Sequence, residues 1–299
     1  MKRILISGAT GYVGSNLARK LNSLGYEVHI IIRKASNLDK IKDIEENIKK
    51  HIFSGSTDDL CEIVLNINPD IVIHLASMFI GEHKIQQVKQ LVDSNVLFST
   101  QLMEASVNAG VKYFVNTGTQ WQHYQDKEYS PVNLYAATKE AFESIAKYYV
   151  ESFDMRMITL KLSDTYGPMD TRLKIINKLF EIAQSEEVLD MSKGEQEIGL
   201  LYIDDVINAF LIAIEKIQKM NPHECKEFLV LPDKIYSLKE VVNVFEDIIN
   251  KKLKINWGKR EYRKREMMKI YTKEENILKE SEIISLYEGI SNFIKQQDI

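Results

Sequence analysis

Apolar and polar positions alternate in blocks along the first two thirds of the chain, and the period of the pattern changes from block to block. Short, largely β-branched runs predict strands at residues 2–6, 27–32, 52–53, 70–74, 112–116 and 156–162. Between them the apolar residues recur at helical spacing. Residues 12–24 carry Val13, Leu17 and Leu21 on one stripe, and 58–66, 84–109 and 133–153 read the same way. Strand and helix taking turns predicts a parallel sheet, because parallel neighbours need a crossover connection, and the crossovers place helices on both faces. The expected class is α/β, a doubly wound parallel sheet.

After Gly167-Pro168 the alternation loosens. A helix is expected at 171–184, an extended segment at 199–203, and an apolar helix at 205–217 with Asp204 as its cap. The last third mixes strands at 227–231 and 253–257 with helices at 237–249 and 281–295, and it holds a charged stretch at 259–269. No internal repeat and no low-complexity linker interrupts it. The expected layout is a core of residues 1–166, joined by about 199–218, with a smaller lobe built from 167–198 and 219–299. The active cleft falls between the two.

Composition narrows the function classes. The 299 residues carry a net charge of -4 and a pI near 6.0, so nothing draws the chain toward nucleic acid or an anionic membrane. The two cysteines, Cys61 and Cys225, have no CxxC spacing. That argues against a zinc ribbon or a disulfide scaffold, implies no metal site, and suits a reducing cytoplasm. The N-terminus has no long apolar segment, and no run of about 18 apolar residues exists. A cytoplasmic, soluble protein is expected.

Chemistry enters at Gly8-Ala9-Thr10-Gly11-Tyr12-Val13-Gly14, which follows a strand and opens a helix. Glycines allow a tight turn and let backbone N–H groups approach a pyrophosphate at the helix N-terminus, where the dipole favours anions. Gly8, Thr10, Gly11, Tyr12, Val13 and Gly14 are therefore candidate dinucleotide-binding residues. An acid at the end of the second strand would bind the ribose 2′-OH of NAD. Here Arg33-Lys34 stands at that end, and these cations suit a 2′-phosphate. NADP(H) is favoured over NAD(H).

Tyr135-Ala136-Ala137-Thr138-Lys139 lies in a predicted helix, where positions four apart share a face. An ammonium beside a phenol lowers its pKa toward neutrality, so the pair predicts a Tyr135 general acid or base supported by Lys139.

These motifs resemble those of the extended short-chain dehydrogenase/reductases, the NAD-dependent epimerase/dehydratase family. The GxxGxxG spacing, the Tyr-x-x-x-Lys pair and the order of elements carry the resemblance, which spans nearly the whole chain and is looser in the lobe. It implies a Rossmann-type sheet with a smaller C-terminal substrate-binding lobe. It also implies that Lys139 binds the nicotinamide ribose and that Thr119 is the catalytic hydroxyl, with Thr117 as the other candidate. Leu75, Ala76 and Ser77, in His74-Leu75-Ala76-Ser77, would line the cofactor, and Asn95 is grouped with them as the residue that orders this region. His74 itself reads as a packed structural histidine. In Gly55-Ser56-Thr57, Ser56 replaces the family's adenine-contacting Asp.

In the lobe, Tyr166-Gly167-Pro168 resembles the element that places an Asn on the sugar nucleotide, here Asp164. The Arg-Asp pair after Gln196 is replaced by Ile198-Gly199. Arg263 takes the place of a diphosphate-binding Arg. The resemblance implies a nucleotide-sugar substrate and is strongest toward the 4-ketoreductases of the CDP-abequose and CDP-paratose synthase kind. Gln120 and Trp121 stand where the 4,6-dehydratases carry Asp-Glu, and no Cys lies near, as the epimerase-reductases need. Simple hydride transfer remains. The expected activity is NADPH-dependent 4-keto-deoxysugar reduction, with Gln120 among the substrate contacts. A 4-epimerase with tightly held NAD is the alternative and a non-catalytic NADP-sensing regulator a remote one. A homodimer through the two long core helices is the default.

Overall fold

The computed structural model describes residues 2–185 and 187–297. Its centre is a seven-stranded, all-parallel sheet in the order β3-β2-β1-β4-β5-β6-β11. The first six strands are β1 (Arg3–Ser7), β2 (Glu27–Ile32), β3 (Lys49–Ile52), β4 (Ile71–His74), β5 (Tyr113–Thr119) and β6 (Arg156–Leu162). Three short pairs lie outside it: β7 (Asp164–Tyr166) with β10 (Leu200–Tyr202), β8 (Leu189–Met191) with β13 (Ile255–Trp257), and β9 (Glu197–Ile198) with β12 (Tyr236–Ser237). The seventh central strand, β11 (Cys225–Val230), pairs with β6.

The helices are α1 (Tyr12–Ser23), α2 (Thr57–Ile67), α3 (Val88–Val92), α4 (Phe98–Asn108), α5 (Leu134–Ser152), α6 (Ile175–Ala183), α7 (Ile203–Ile217), α8 (Leu238–Ile249) and α9 (Leu286–Gln297). They cover the sheet on both faces. Residues of α2, α4 and α5 close one core with Leu5, Val72 and Phe114. Residues of α1 and α7 close the other with Ile4, Ile73 and Ile158, and it continues into α6, α8 and α9. The strand order reverses between β1 and β4, and the crevice at such a switch point is where α/β sheets bind ligands.

Three expectations need correction. The third strand was expected at 52–53 and lies at Lys49–Ile52. It pairs only with β2 at the sheet edge and is mostly exposed, so it carries no apolar run to read. The expected helix at 84–109 is broken by a π-turn over Asp93–Leu97, where Asn95 is drawn inward. Asp204 does not cap α7. Tyr202 holds the cap position, and Asp204 and Asp205 sit in the first turn, where the helix dipole favours acids.

Candidate active site

The glycine turn closes directly onto the end of β4. Gly8 has φ +78°, and a Cβ there would lie 2.5 Å from the backbone nitrogen of Ala76. A Cβ on Gly14 would lie 2.2 Å from the Gly8 carbonyl oxygen, so neither position accepts a side chain. The Ser7 carbonyl accepts from Leu75 N at 3.0 Å, and Ser7 Oγ accepts from Ala76 N at 3.3 Å. Gly11 caps α1 in an extended conformation with no side chain receiving the first-turn N–H groups. Those donors face outward at the switch point, and they fit the pyrophosphate of a dinucleotide. Thr10 and Val13 are partly exposed beside them. The Tyr12 ring is buried in the core under the Arg172 guanidinium, 4.5 Å from the ring centroid, which leaves its backbone at the turn.

Arg33 and Lys34 follow β2 directly and are exposed. Among the described residues neither side chain makes an ion pair. A tight turn, closed by Arg33 N donating to Ser36 Oγ at 2.9 Å, holds them at the carboxyl edge of the sheet. Ser56 caps α2 by accepting from Asp59 N at 3.2 Å, which is a local task that a serine performs well. His74 is fully buried between Ser7 Oγ at 2.7 Å and Ser99 Oγ at 2.8 Å.

Asn95 corrects the grouping with the cofactor-lining residues. Its Oδ1 accepts from Met78 N at 2.7 Å, and its Nδ2 donates to Met78 O and Thr138 Oγ1, both at 3.0 Å. The amide is spent on pinning the segment after β4 to α5. The π-turn is the local distortion that lets it reach, and such turns recur at functional sites.

Thr119, Tyr135 and Lys139 converge. Thr119 ends β5 and Tyr135 and Lys139 share one face of α5. Asn133 caps α5 by accepting from Ala136 N at 2.9 Å, and it donates to Gly81 O at 2.8 Å, so the helix start is fixed to the loop below. The hydroxyls of Thr119 and Ser77 lie in hydrogen-bonding reach of the Tyr135 phenol. Burial nevertheless pushes that phenol up to about 12, against the pull of those two hydroxyls. The expected lowering toward neutrality does not appear: burial dominates, and Asp164 and Glu143 add to the rise. Lys139 is 1% exposed, and burial pushes its ammonium down to about 8.

Behind these residues runs a buried polar chain. Thr119 N donates to Gln122 Oε1 at 2.9 Å, Gln122 Nε2 donates to Glu143 at 3.0 Å, and Lys161 pairs with Glu143 at 2.5 Å. Gly118 leaves room for it: a Cβ there would lie 2.7 Å from Lys161 Cδ and 2.9 Å from Glu143 Oε1. None of Gln122, Glu143 or Lys161 stood out in the sequence. Glu143 continues the Tyr135 and Lys139 stripe by one more helical turn, and that spacing is the signal that could have found it.

In front of them opens a cleft of about 680 Å³. Thr119, Gln120, Asp164 and Arg263 all line it. Asp164 pairs with Lys174 at 2.6 Å, and the Lys174 and Arg172 cations hold its carboxyl below the usual range despite burial. Arg263 lies over the Trp121 ring at 5.4 Å, Trp121 meets Phe79 at 5.4 Å, and Phe79 meets the Tyr135 ring edge-on at 5.0 Å. An aromatic wall therefore runs from Arg263 to Tyr135. Lys174 and Phe79 were not singled out as site residues, since both belong to loops whose position only the fold decides.

A parallel sheet with a glycine turn at its switch point and a Thr-Tyr-Lys set at the next strand end defines an NAD(P)-dependent oxidoreductase of the short-chain dehydrogenase/reductase type. The chain belongs to the NAD dependent epimerase/dehydratase family, whose model matches residues 4–226. It is 28% identical over 260 residues to the CDP-abequose synthase of Salmonella muenchen, covering 86% of this chain and 84% of that one. It is 26% identical over 295 residues to the CDP-abequose synthase of Yersinia pseudotuberculosis, covering 98% and 100%. Among solved structures it superimposes on the UDP-glucose 4-epimerase of Thermotoga maritima with a TM-score of 0.85 at 20% identity, over 99% of this chain and 98% of that one. Among the described residues no helix is long and apolar enough to cross a membrane.

Proposed function

We propose that this enzyme reduces the 4-keto group of a nucleotide-activated deoxysugar at the expense of NADPH. The observation that carries the reading is the pairing of an intact Thr119-Tyr135-Lys139 set with Gln120 and Trp121, two residues that hold no transferable proton, directly after Thr119. Elimination needs an acid and a base there, and hydride transfer does not.

When bound, the nicotinamide cofactor supplies the hydride. Thr119 donates a hydrogen bond to the carbonyl oxygen and holds it against Tyr135. A phenol near 12 is fully protonated at neutral pH, so Tyr135 is set to give a proton to the oxygen as charge develops on it. Lys139 stabilises the tyrosinate left behind. Gly8, Gly11 and Gly14 with Thr10 and Val13 hold the pyrophosphate, Arg33 and Lys34 receive the 2′-phosphate, and Arg263 meets the substrate's diphosphate. The aromatic wall of Phe79 and Trp121 offers an apolar surface that suits a methyl carbon better than a hydroxymethyl group.

The residues 1–166, with 199–218, serve the cofactor, and 167–198 with 219–299 serve the substrate. The relatives named CDP-abequose synthase make a CDP-linked sugar the first substrate to try. Exposed Ile85, Val88, Val92 and Leu97 on one helical stretch, with Tyr148 on α5, favour a homodimer through these helices. The test is an assay with a CDP-linked 4-keto-6-deoxyhexose. One NADPH consumed per sugar supports the reading. In a parallel assay that starts from a CDP-linked 4-hydroxy sugar, interconversion of the 4-hydroxy epimers without net cofactor turnover supports the 4-epimerase instead.

A further inference from the structure

Three side chains at the floor of the cleft have polar atoms that are buried and unpartnered: Thr117 Oγ1, both amide atoms of Gln120, and Ser163 Oγ. All three residues border the cleft. Gln120 is only 2% exposed and Ser163 8%. The register of the sheet brings them together. β5 and β6 pair up to Thr119 and Leu162, and Gln120 and Ser163 are the first residues beyond their paired ends. Thr117 sits two residues back on β5.

An amide sealed from water without a partner is costly, and a fold keeps one where a ligand completes its bonds. The chemistry of this set is uncharged and two-way, since hydroxyls and a carboxamide both donate and accept. Of the cations that border the cleft, Lys174 pairs with Asp164 and Arg172 with Asp170, while Arg263 and Arg265 lie over the rings of Trp121 and Tyr124. Such a floor, itself uncharged, matches a neutral hydroxyl.

Resting on the reductase reading, we propose that Thr117, Gln120 and Ser163 form a subsite that reads a ring hydroxyl of the sugar. Gln120 is adjacent to Thr119, so the hydroxyl it meets lies on the same ring as the reacting carbonyl. In a 4-keto-6-deoxyhexose linked to its nucleotide through C1, only C2 and C3 carry free hydroxyls. The subsite therefore reads the C2–C3 edge of the ring, while the methyl carbon faces the aromatic wall.

The test compares a CDP-linked 4-keto-6-deoxyhexose with its 2-deoxy and 3-deoxy counterparts, in the full-length protein and in Ser163→Ala, Thr117→Val and Gln120→Met. Both kcat/KM and calorimetric affinity are measured. The parent enzyme is expected to disfavour at least one deoxy analogue by about 100-fold or more, since a site built to hydrogen-bond a hydroxyl rejects its absence strongly. Each variant is expected to lose roughly 10-fold on the hydroxylated sugar and little on the rejected analogue, with NADPH affinity unchanged. The proposal is overturned if the parent binds all three sugars alike, or if the variants weaken them equally. Discrimination in binding without turnover would uphold the subsite and remove the reductase reading. Turnover without discrimination would do the reverse.

Discussion

Glu143 and Lys161 form an ion pair 2.5 Å apart with almost no exposure, 5% and 1%, directly behind the strand that carries Thr119. Glu227 at 3.2 Å and Glu140 at 3.7 Å complete the surroundings of the Lys161 ammonium. Removing one member of a buried pair leaves an uncompensated charge, which costs about 3–5 kcal/mol. Glu143→Ala is therefore expected to lower unfolding stability by roughly 3 kcal/mol, toward the small end because two other carboxylates remain near Lys161. Urea denaturation of the variant against the parent measures it, and a loss under about 0.5 kcal/mol would show that the pair holds nothing together.

Tyr135→Phe keeps the ring that Phe79 packs against and removes only the hydroxyl. Turnover is expected to fall by about 10²–10⁴, the usual worth of a positioned proton donor. NADPH affinity, read by fluorescence titration, should stay within a factor of about two. A variant with normal turnover would remove Tyr135 from the chemistry.

His29 and His51 stack across β2 and β3 with ring centroids 5.2 Å apart, and His29 Nδ1 meets His51 Nε2 at 2.9 Å. Burial holds both imidazoles below their usual pKa, with Glu27 opposing and Lys49 and Arg3 reinforcing the effect at His29. The folded protein thus takes up protons here at lower pH than the unfolded chain, whose histidines titrate near 6.5. Stability from this pair is complete above about pH 6.5 and declines as pH falls below it. Unfolding at pH 7.5 and 5.5 in the parent and in His29→Phe/His51→Leu should show a smaller acid loss in the variant. Equal losses would assign the acid sensitivity to other groups.

Arg33 and Lys34 are exposed and form no ion pair among the described residues. Arg33→Ala/Lys34→Ala is expected to weaken NADPH by about 10-fold or more, the worth of a charge-assisted contact to phosphate, while NADH changes little. Fluorescence titration of both cofactors decides it. Equal weakening, or a parent that prefers NADH, would remove the 2′-phosphate assignment.

The legible parts of the sequence were those fixed by local pattern. β2 and β6 lie at the bounds expected for them because both are apolar-rich segments buried on two faces, interrupted only by His29 in β2 and by Thr159 and Lys161 in β6. Tyr135 and Lys139 lie four residues apart on α5, as the helical spacing implied. The illegible parts depend on distant partners. The π-turn at Asn95 exists because Met78 and Thr138 are there to receive its amide. The height of the Tyr135 pKa depends on burial that no neighbour in sequence reveals. Lys174, at the cap of α6, enters the cleft because Asp164, ten residues earlier on β7, faces it.

The most direct test of the central claim is isotopic. The purified protein is mixed in a single turnover with NADPH carrying deuterium at the transferred position and a CDP-linked 4-keto-6-deoxyhexose. Oxidised cofactor and a 4-hydroxy sugar are expected in equal amounts, with the deuterium on C4. Sugar product without net cofactor oxidation, or deuterium at any other carbon, would contradict that claim.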